Sequence, residues 1–141
     1  MDLDTFFRAV EEGDVQTVRE GLEAGVDVYA RRDSWEYQTS LHVASVCGQT
    51  EVAELLIKNG ANLEARNLVY QVPLHVASRY GQTEVAELLI KNGADLEARN
   101  SEYQTSLHVA SSYGQTEVSE LLIKNGADLE ARDEQTSPIQ R

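Results

Sequence analysis

The stretch GQTEVAELLIKNGA stands at residues 48–61 and again, unchanged, at 81–94; a third copy at 114–127 differs only in carrying Ser119 where the others have Ala53 and Ala86. The copies begin 33 residues apart. A fixed period of that length constrains the fold more than any single residue does. A unit so short cannot bury its own apolar face, so equivalent faces of neighbouring units must cover one another.

One unit, Asn67 to Arg99, reads NLVYQVPLHVASRYGQTEVAELLIKNGADLEAR. Pro73 suits the first position of a helix, where its missing N–H has no partner to lose, and the helix it opens ends at Gly81. Thr83 is the expected N-cap of a second helix, with Glu84 favourably placed against the positive end of the dipole. Val85, Leu88 and Leu89 fall at i, i+3 and i+4 and form one buried stripe, while Glu87 and Lys91 face water as a weak ion pair. Asn92 and Gly93 supply a left-handed stop. The following ADLEARN is too short and polar to bury itself, and with the next unit's SEYQ it is expected to project as a turn or hairpin.

Bulk properties narrow the function. The 141 residues suit one domain, and an aromatic content of 6% predicts a core of Leu, Val, Ile and Ala. Twelve basic against 24 acidic residues give a net charge of −12, which opposes binding to nucleic acid or anionic membrane surfaces. Cys47 is the single cysteine, so no disulfide can form within the chain, and no apolar run is long enough to span a bilayer. Asp2, Asp4, Glu11, Glu12 and Asp14 crowd the start, where a secretory signal would be basic and then apolar, so a cytoplasmic location is expected.

The segment VPLHVASRYGQTEVAELLIKNGADLEARN resembles an ankyrin repeat. It carries that family's apolar residue, Pro, Leu and His, then a central Gly, a Leu-Leu pair and Gly-Ala-Asp. The likeness implies an all-α ankyrin-repeat solenoid of stacked helix-turn-helix units with projecting hairpin or turn fingers. Full repeats are expected at 34–66, 67–99 and 100–132, after an N-terminal capping repeat at 1–33 and before a truncated tail at 133–141. In the cap, Ala9, Gly13, Leu22 and Gly25 take the places of Ala44, Gly48, Ile57 and Gly60, and Arg8, Glu11, Glu12, Arg19 and Glu20 are its outer, water-facing residues. Two units read TSLH, at Thr39 to His42 and Thr105 to His108, where the family has Pro, a change expected to cost a little helix rigidity. Tyr37, Tyr70 and Tyr103 replace the family's finger glycine. Because φ > 0 strains tyrosine, the tips are expected to adopt another turn. The closing DEQTSPIQR resembles the opening of a further unit.

Catalytic and metal chemistry find little support. His42, His75 and His108 recur at the repeat period, so stacking holds them roughly 8–10 Å apart, too far to converge on one ion. A structural imidazole near each helix start is expected. Cys47 lacks a nucleophile's local signature and occupies a position taken by Tyr80 and Tyr113, which marks it as a replaceable surface residue. No Lys-Ser/Thr follows the Gly-Ala turns, so phosphate cradling is not expected, and no cofactor is implied. Glu51, Glu54, Glu64 and their copies form acidic columns, read either as a solvated face or as a mimic of a polyanion.

The units differ in few places. Ser34, Trp35 and Glu36 stand against Asn67, Leu68 and Val69 and against Asn100, Ser101 and Glu102; Val46 and Cys47 stand against Arg79 and Tyr80 and against Ser112 and Tyr113. In an ankyrin-like stack these sets fall on the concave face, at the finger tips and the ends of the first helices. Together with the tip residues Tyr37, Tyr70 and Tyr103 they are the candidate partner contacts, and Trp, Tyr and Arg are the types that dominate interface energetics. The expected function is a non-enzymatic protein-interaction module acting by occlusion, sequestration or tethering, with a partner carrying a basic patch. The alternatives are a structural element that self-associates through its uncapped C-terminal end, and an acidic decoy occupying a nucleic-acid-binding protein.

Overall fold

A computed structural model of the protein describes residues 1–34 and 36–133. The expectations attached to Trp35 and to residues 134–141 of the closing segment lie outside the described residues.

The described residues form eight helices in four pairs: α1 (Leu3–Glu12) with α2 (Val15–Glu23), α3 (Ser40–Cys47) with α4 (Thr50–Lys58), α5 (Pro73–Tyr80) with α6 (Thr83–Lys91), and α7 (Ser106–Ser112) with α8 (Thr116–Lys124). No strand occurs among these residues; Arg31 and Thr39 form an isolated antiparallel bridge, and the fingers are turns rather than hairpins. Each first helix packs on the first helix of the next pair, and each second helix on the next second helix, giving two layers.

The layers differ because their sequences do. Ser40 to Ser45 of α3 and Pro73 to Ser78 of α5 are buried on every side, as small side chains between two neighbouring helices must be. The second helices are amphipathic. In α6, Val85 and Leu89 are fully buried and Leu88 is half-buried, with Val52 and Leu56, and Val118 and Leu122, in the same places of α4 and α8. Each such leucine contributes about 1.5–3 kcal/mol of burial, which helices of nine residues need because they are unstable alone. The N-terminal pair departs from the aliphatic pattern: Phe6 and Phe7 are buried edge to face, centroids 6.2 Å apart, and the Phe6 ring lies against Gly21.

Helix starts follow two rules. Asp2, Asp14, Thr39 and Thr105 cap first turns by accepting an amide hydrogen from the third helical residue, and Pro73 opens α5. In α4, α6 and α8 the cap residues are Gln49, Gln82 and Gln115, which make no capping bond of their own. Thr83 is therefore the first helical residue and not the cap. The glutamine amides serve the unit before: Gln49 Nε2 donates to Glu11 O (2.8 Å), Gln82 to Val46 O (2.8 Å) and Gln115 to Arg79 O (2.9 Å). Each amide lies over a left-handed glycine, so a Cβ at Gly13 would stand 2.5 Å from Gln49 Oε1. Glycine is needed there for its φ of 73° and for that close approach.

Two surface expectations change. Glu87 and Lys91 are exposed and form no ion pair with each other; Arg32 instead pairs with Glu11 at 3.2 Å, which makes Glu11 a half-buried link to the next unit. Glu64 and Glu97 are more than a solvated column, since their carboxylates accept from Asp95 N and Asp128 N of the following units, each at 3.0 Å.

Candidate partner-binding face

The fingers are held by an arginine column. Arg31 Nη1 donates to Arg66 O, Arg66 Nη1 to Arg99 O, and Arg99 Nη1 to Arg132 O, so each guanidinium ties its unit to the next. The same nitrogens donate to Tyr37 O (3.1 Å), Tyr70 O (2.8 Å) and Tyr103 O (2.8 Å), and the guanidinium carbons lie 5.4, 5.8 and 4.2 Å from the three ring centroids.

This corrects the expectation that tyrosine would change the turn. Tyr37, Tyr70 and Tyr103 have φ of 59°, 60° and 62°, the left-handed conformation that glycine would adopt, and Glu36 joins them at 63°. The bond to each tyrosine carbonyl and the ring against each guanidinium offset the strain. Inside the tip, Asn67 Oδ1 accepts from Val69 N and Gln71 N, both at 3.0 Å, and Asn100 does the same for Glu102 and Gln104. Neighbouring tips are joined directly, Leu68 N donating to Glu36 O (3.1 Å) and Ser101 N to Val69 O (3.0 Å).

The histidines form a second column. Thr39 N–H donates to His42 Nδ1 (3.2 Å), so the ring's proton is on Nε2, which donates to Gln71 O of the next unit (2.8 Å). His75 bonds Gln104 O (2.9 Å) and His108 bonds Ala131 O (3.1 Å) in the same way. Burial, reinforced by the Arg31 charge, lowers the His42 pKa to about 4, and burial lowers that of His75. The His42 and His75 rings are neutral struts. Cys47 is exposed, with its thiol pKa raised by partial burial and then by Glu11, the opposite of what a nucleophile needs.

Between tips and first helices run two adjoining depressions. One is bordered by Glu36, Val46, Val76, Arg79 and Tyr80; the other by Glu36, Val69, Arg79, Ser101, Glu102 and Tyr113. The second has a volume of about 180 Å³, below the ~300 Å³ at which small-molecule pockets begin, so it suits protruding side chains better than an enclosed ligand. Arg79 joins the two, with its guanidinium carbon over the Tyr80 ring (5.2 Å) and the Tyr113 ring (5.0 Å).

Of the candidate contacts read from the sequence, Glu36, Val46, Val69, Arg79, Tyr80, Ser101, Glu102 and Tyr113 thus come together. Tyr37, Tyr70 and Tyr103 are turned to the arginine column, though their rings stay exposed. Leu68 is exposed at the middle tip, Ser112 borders a different recess with Leu107 and Leu129, Cys47 borders neither depression, and Trp35 is outside the described residues. Gln71, Gln104, Val76 and Val109 border the grooves without having been read as candidates. Their repetition from unit to unit marked them as scaffold.

Among known proteins, a family model described as ankyrin repeats (3 copies) matches residues 6–100 and 70–133. Over 65 residues the chain is 37% identical to a Mus musculus protein named 2-5A-dependent ribonuclease. The matched stretch is 46% of this chain and 9% of that relative's length.

Proposed function

The chain belongs to the ankyrin repeat family, and from that premise we propose that it is a non-enzymatic interaction module that holds a protein partner against its finger tips and first helices. One observation carries this reading. Eight residues at positions where the units differ, Glu36, Val46, Val69, Arg79, Tyr80, Ser101, Glu102 and Tyr113, border the two grooves that Arg79 joins, while positions at which the units agree form the glutamine, arginine and histidine columns that hold the stack. Constant residues make the frame, and altered residues, set beside the constant Gln71, Val76, Gln104 and Val109, line the grooves.

The chemistry of the face suits a protein surface. Tyr80 and Tyr113 offer large contact areas with little side-chain entropy to lose, and an aromatic or arginine anchor well buried in an interface contributes about 2 kcal/mol or more. With a net charge of −12, the partner's surface is basic on balance, and association slows as salt rises. Binding is itself the action, by occluding, sequestering or tethering the partner in the cytoplasm.

A photo-crosslinking residue placed at Val69, or at Glu87 on the second-helix layer, tests this in cell lysate. Partner adducts should form at 69 and not at 87, and disappear in an Arg79/Tyr80/Tyr113 triple alanine variant whose circular dichroism is unchanged. Equal labelling of both faces, or labelling that survives the triple variant, defeats the reading. Glu51, Glu84 and Glu117 start the second helices and border neither groove, so neutralising them should leave the adducts intact. Their loss in that variant would favour the acidic decoy.

A further inference from the structure

Arg79 is the one cation among the positions that differ between units. The guanidiniums of Arg31, Arg66 and Arg99 are occupied by main-chain carbonyls, and that of Arg32 by Glu11. Arg79 is different. Among the described residues its side chain meets two tyrosine rings and closes no ion pair, although Glu36 and Glu102 border the same groove. Two rings hold the guanidinium at the groove, and no acceptor among the described residues takes its N–H donors.

A planar guanidinium so placed matches a carboxylate, which it can bind through two parallel charge-assisted hydrogen bonds. The neighbours decide which anion. Glu36 and Glu102 repel each added negative charge, so a singly charged carboxylate is favoured over a doubly charged phosphate. The same two glutamates call for positive charge on either side. Glu36 is on the finger before Arg79's unit and Glu102 on the finger after it. Successive units are roughly 10 Å apart, about three residues of extended chain. Val69 and the tyrosine rings provide apolar contact between the charged points.

We propose that the groove takes an extended partner segment whose single Asp or Glu sits on Arg79, with a Lys or Arg about three residues to each side facing Glu36 and Glu102. This rests on the tip-and-first-helix face being the binding face, and it specifies what that face reads: a basic segment with one acidic centre, in place of basic charge alone.

Selection of a displayed random-peptide library on the wild-type protein and on Arg79→Glu tests it. Wild-type winners should carry Asp or Glu between two basic residues, and Arg79→Glu should select Lys or Arg at the centre instead. A synthetic winner should bind Arg79→Ala about tenfold or more weaker, with Arg79→Lys only partly restoring affinity because the fork is lost. Each variant's fold is checked by circular dichroism. Wild-type selection without an acidic centre, winners indifferent to Arg79→Ala, or tighter binding when phosphoserine replaces the central Asp would each overturn the proposal. If winners ignore Arg79→Ala but need Val69 and Tyr113, only this proposal falls. If they also survive Val69→Lys and Tyr113→Ala, the face itself is wrong.

Discussion

Tyr70 shows how a residue can be strained and useful together. Its φ of 60° costs about 1–2 kcal/mol relative to glycine, while its ring against Arg66 returns about 0.5–1 kcal/mol. Because glycine's extra freedom in the unfolded chain offsets the remaining gain, Tyr70→Gly should leave the free energy of unfolding nearly unchanged, whereas Tyr70→Ala, which keeps the strain and loses the ring, should lower it by about 0.5–1 kcal/mol, read as a lower urea midpoint. Equal midpoints for the two variants would refute this balance. His42 gives a second residue-scale prediction. Its pKa falls from 6.5 unfolded to about 4 folded, so the unfolded chain takes up the proton first as pH drops. The contribution is complete above pH 6.5 and declines towards pH 4; by pH 5, where most carboxylates are still ionised, His42 alone should have cost about 2 kcal/mol. Burial moves His75 in the same direction. Urea unfolding at pH 7 and pH 5 measures the loss, and a midpoint that does not fall would contradict it.

At the scale of the helix, start signals were legible where the cap works within its own unit. Pro73 marked its helix locally, and Thr39 and Thr105, read from the sequence only as standing beside a lost proline, cap theirs in the same place. The second helices were misplaced by one residue because Gln82 is a cap whose amide serves the preceding unit, a use that no local propensity encodes. The TSLH variants carry a cost that their sequence does not display: Ser40 and Ser106 bury hydroxyls that find no hydrogen-bond partner among the described residues. Their residues stand where Pro73 opens α5, and the preceding Thr39 and Thr105 are extended, at ψ of 169° and 171°, as proline requires. Ser40→Pro and Ser106→Pro should each raise stability by about 0.4–1 kcal/mol, read as a higher thermal midpoint. A lowered midpoint would mean that the serines do work not visible in the fold.

The whole molecule is a one-dimensional stack whose two edges do not match. Gln49, Gln82 and Gln115 each reach back to a carbonyl of the unit before, over a glycine. At the corresponding place on the N-terminal pair is Asp14, whose carboxylate already accepts from Thr17 N and Thr17 Oγ1 and has no N–H to offer. A second copy therefore lacks the group that would seat on Gly114, whose open side meets no atom of the described residues within 4 Å. Like charge on both copies adds repulsion. Light scattering after size exclusion should give one monomer mass across a wide concentration range, and a mass rising with concentration would revive self-association through the C-terminal end.

The repeat period, the cap and stripe residues within each unit and the likeness to ankyrin repeats together carried the repeat, the all-helical pairs, the buried leucines and the structural part of the histidines, because units this short must stack to cover their apolar sides. The period also pointed to the altered positions. The tertiary structure decided what joins the units and which way the altered residues turn. Arg66 reaching Arg99 O, and Arg79 resting on Tyr113, link residues more than thirty positions apart, and such partners are set by where stacking places two surfaces, which local sequence does not specify.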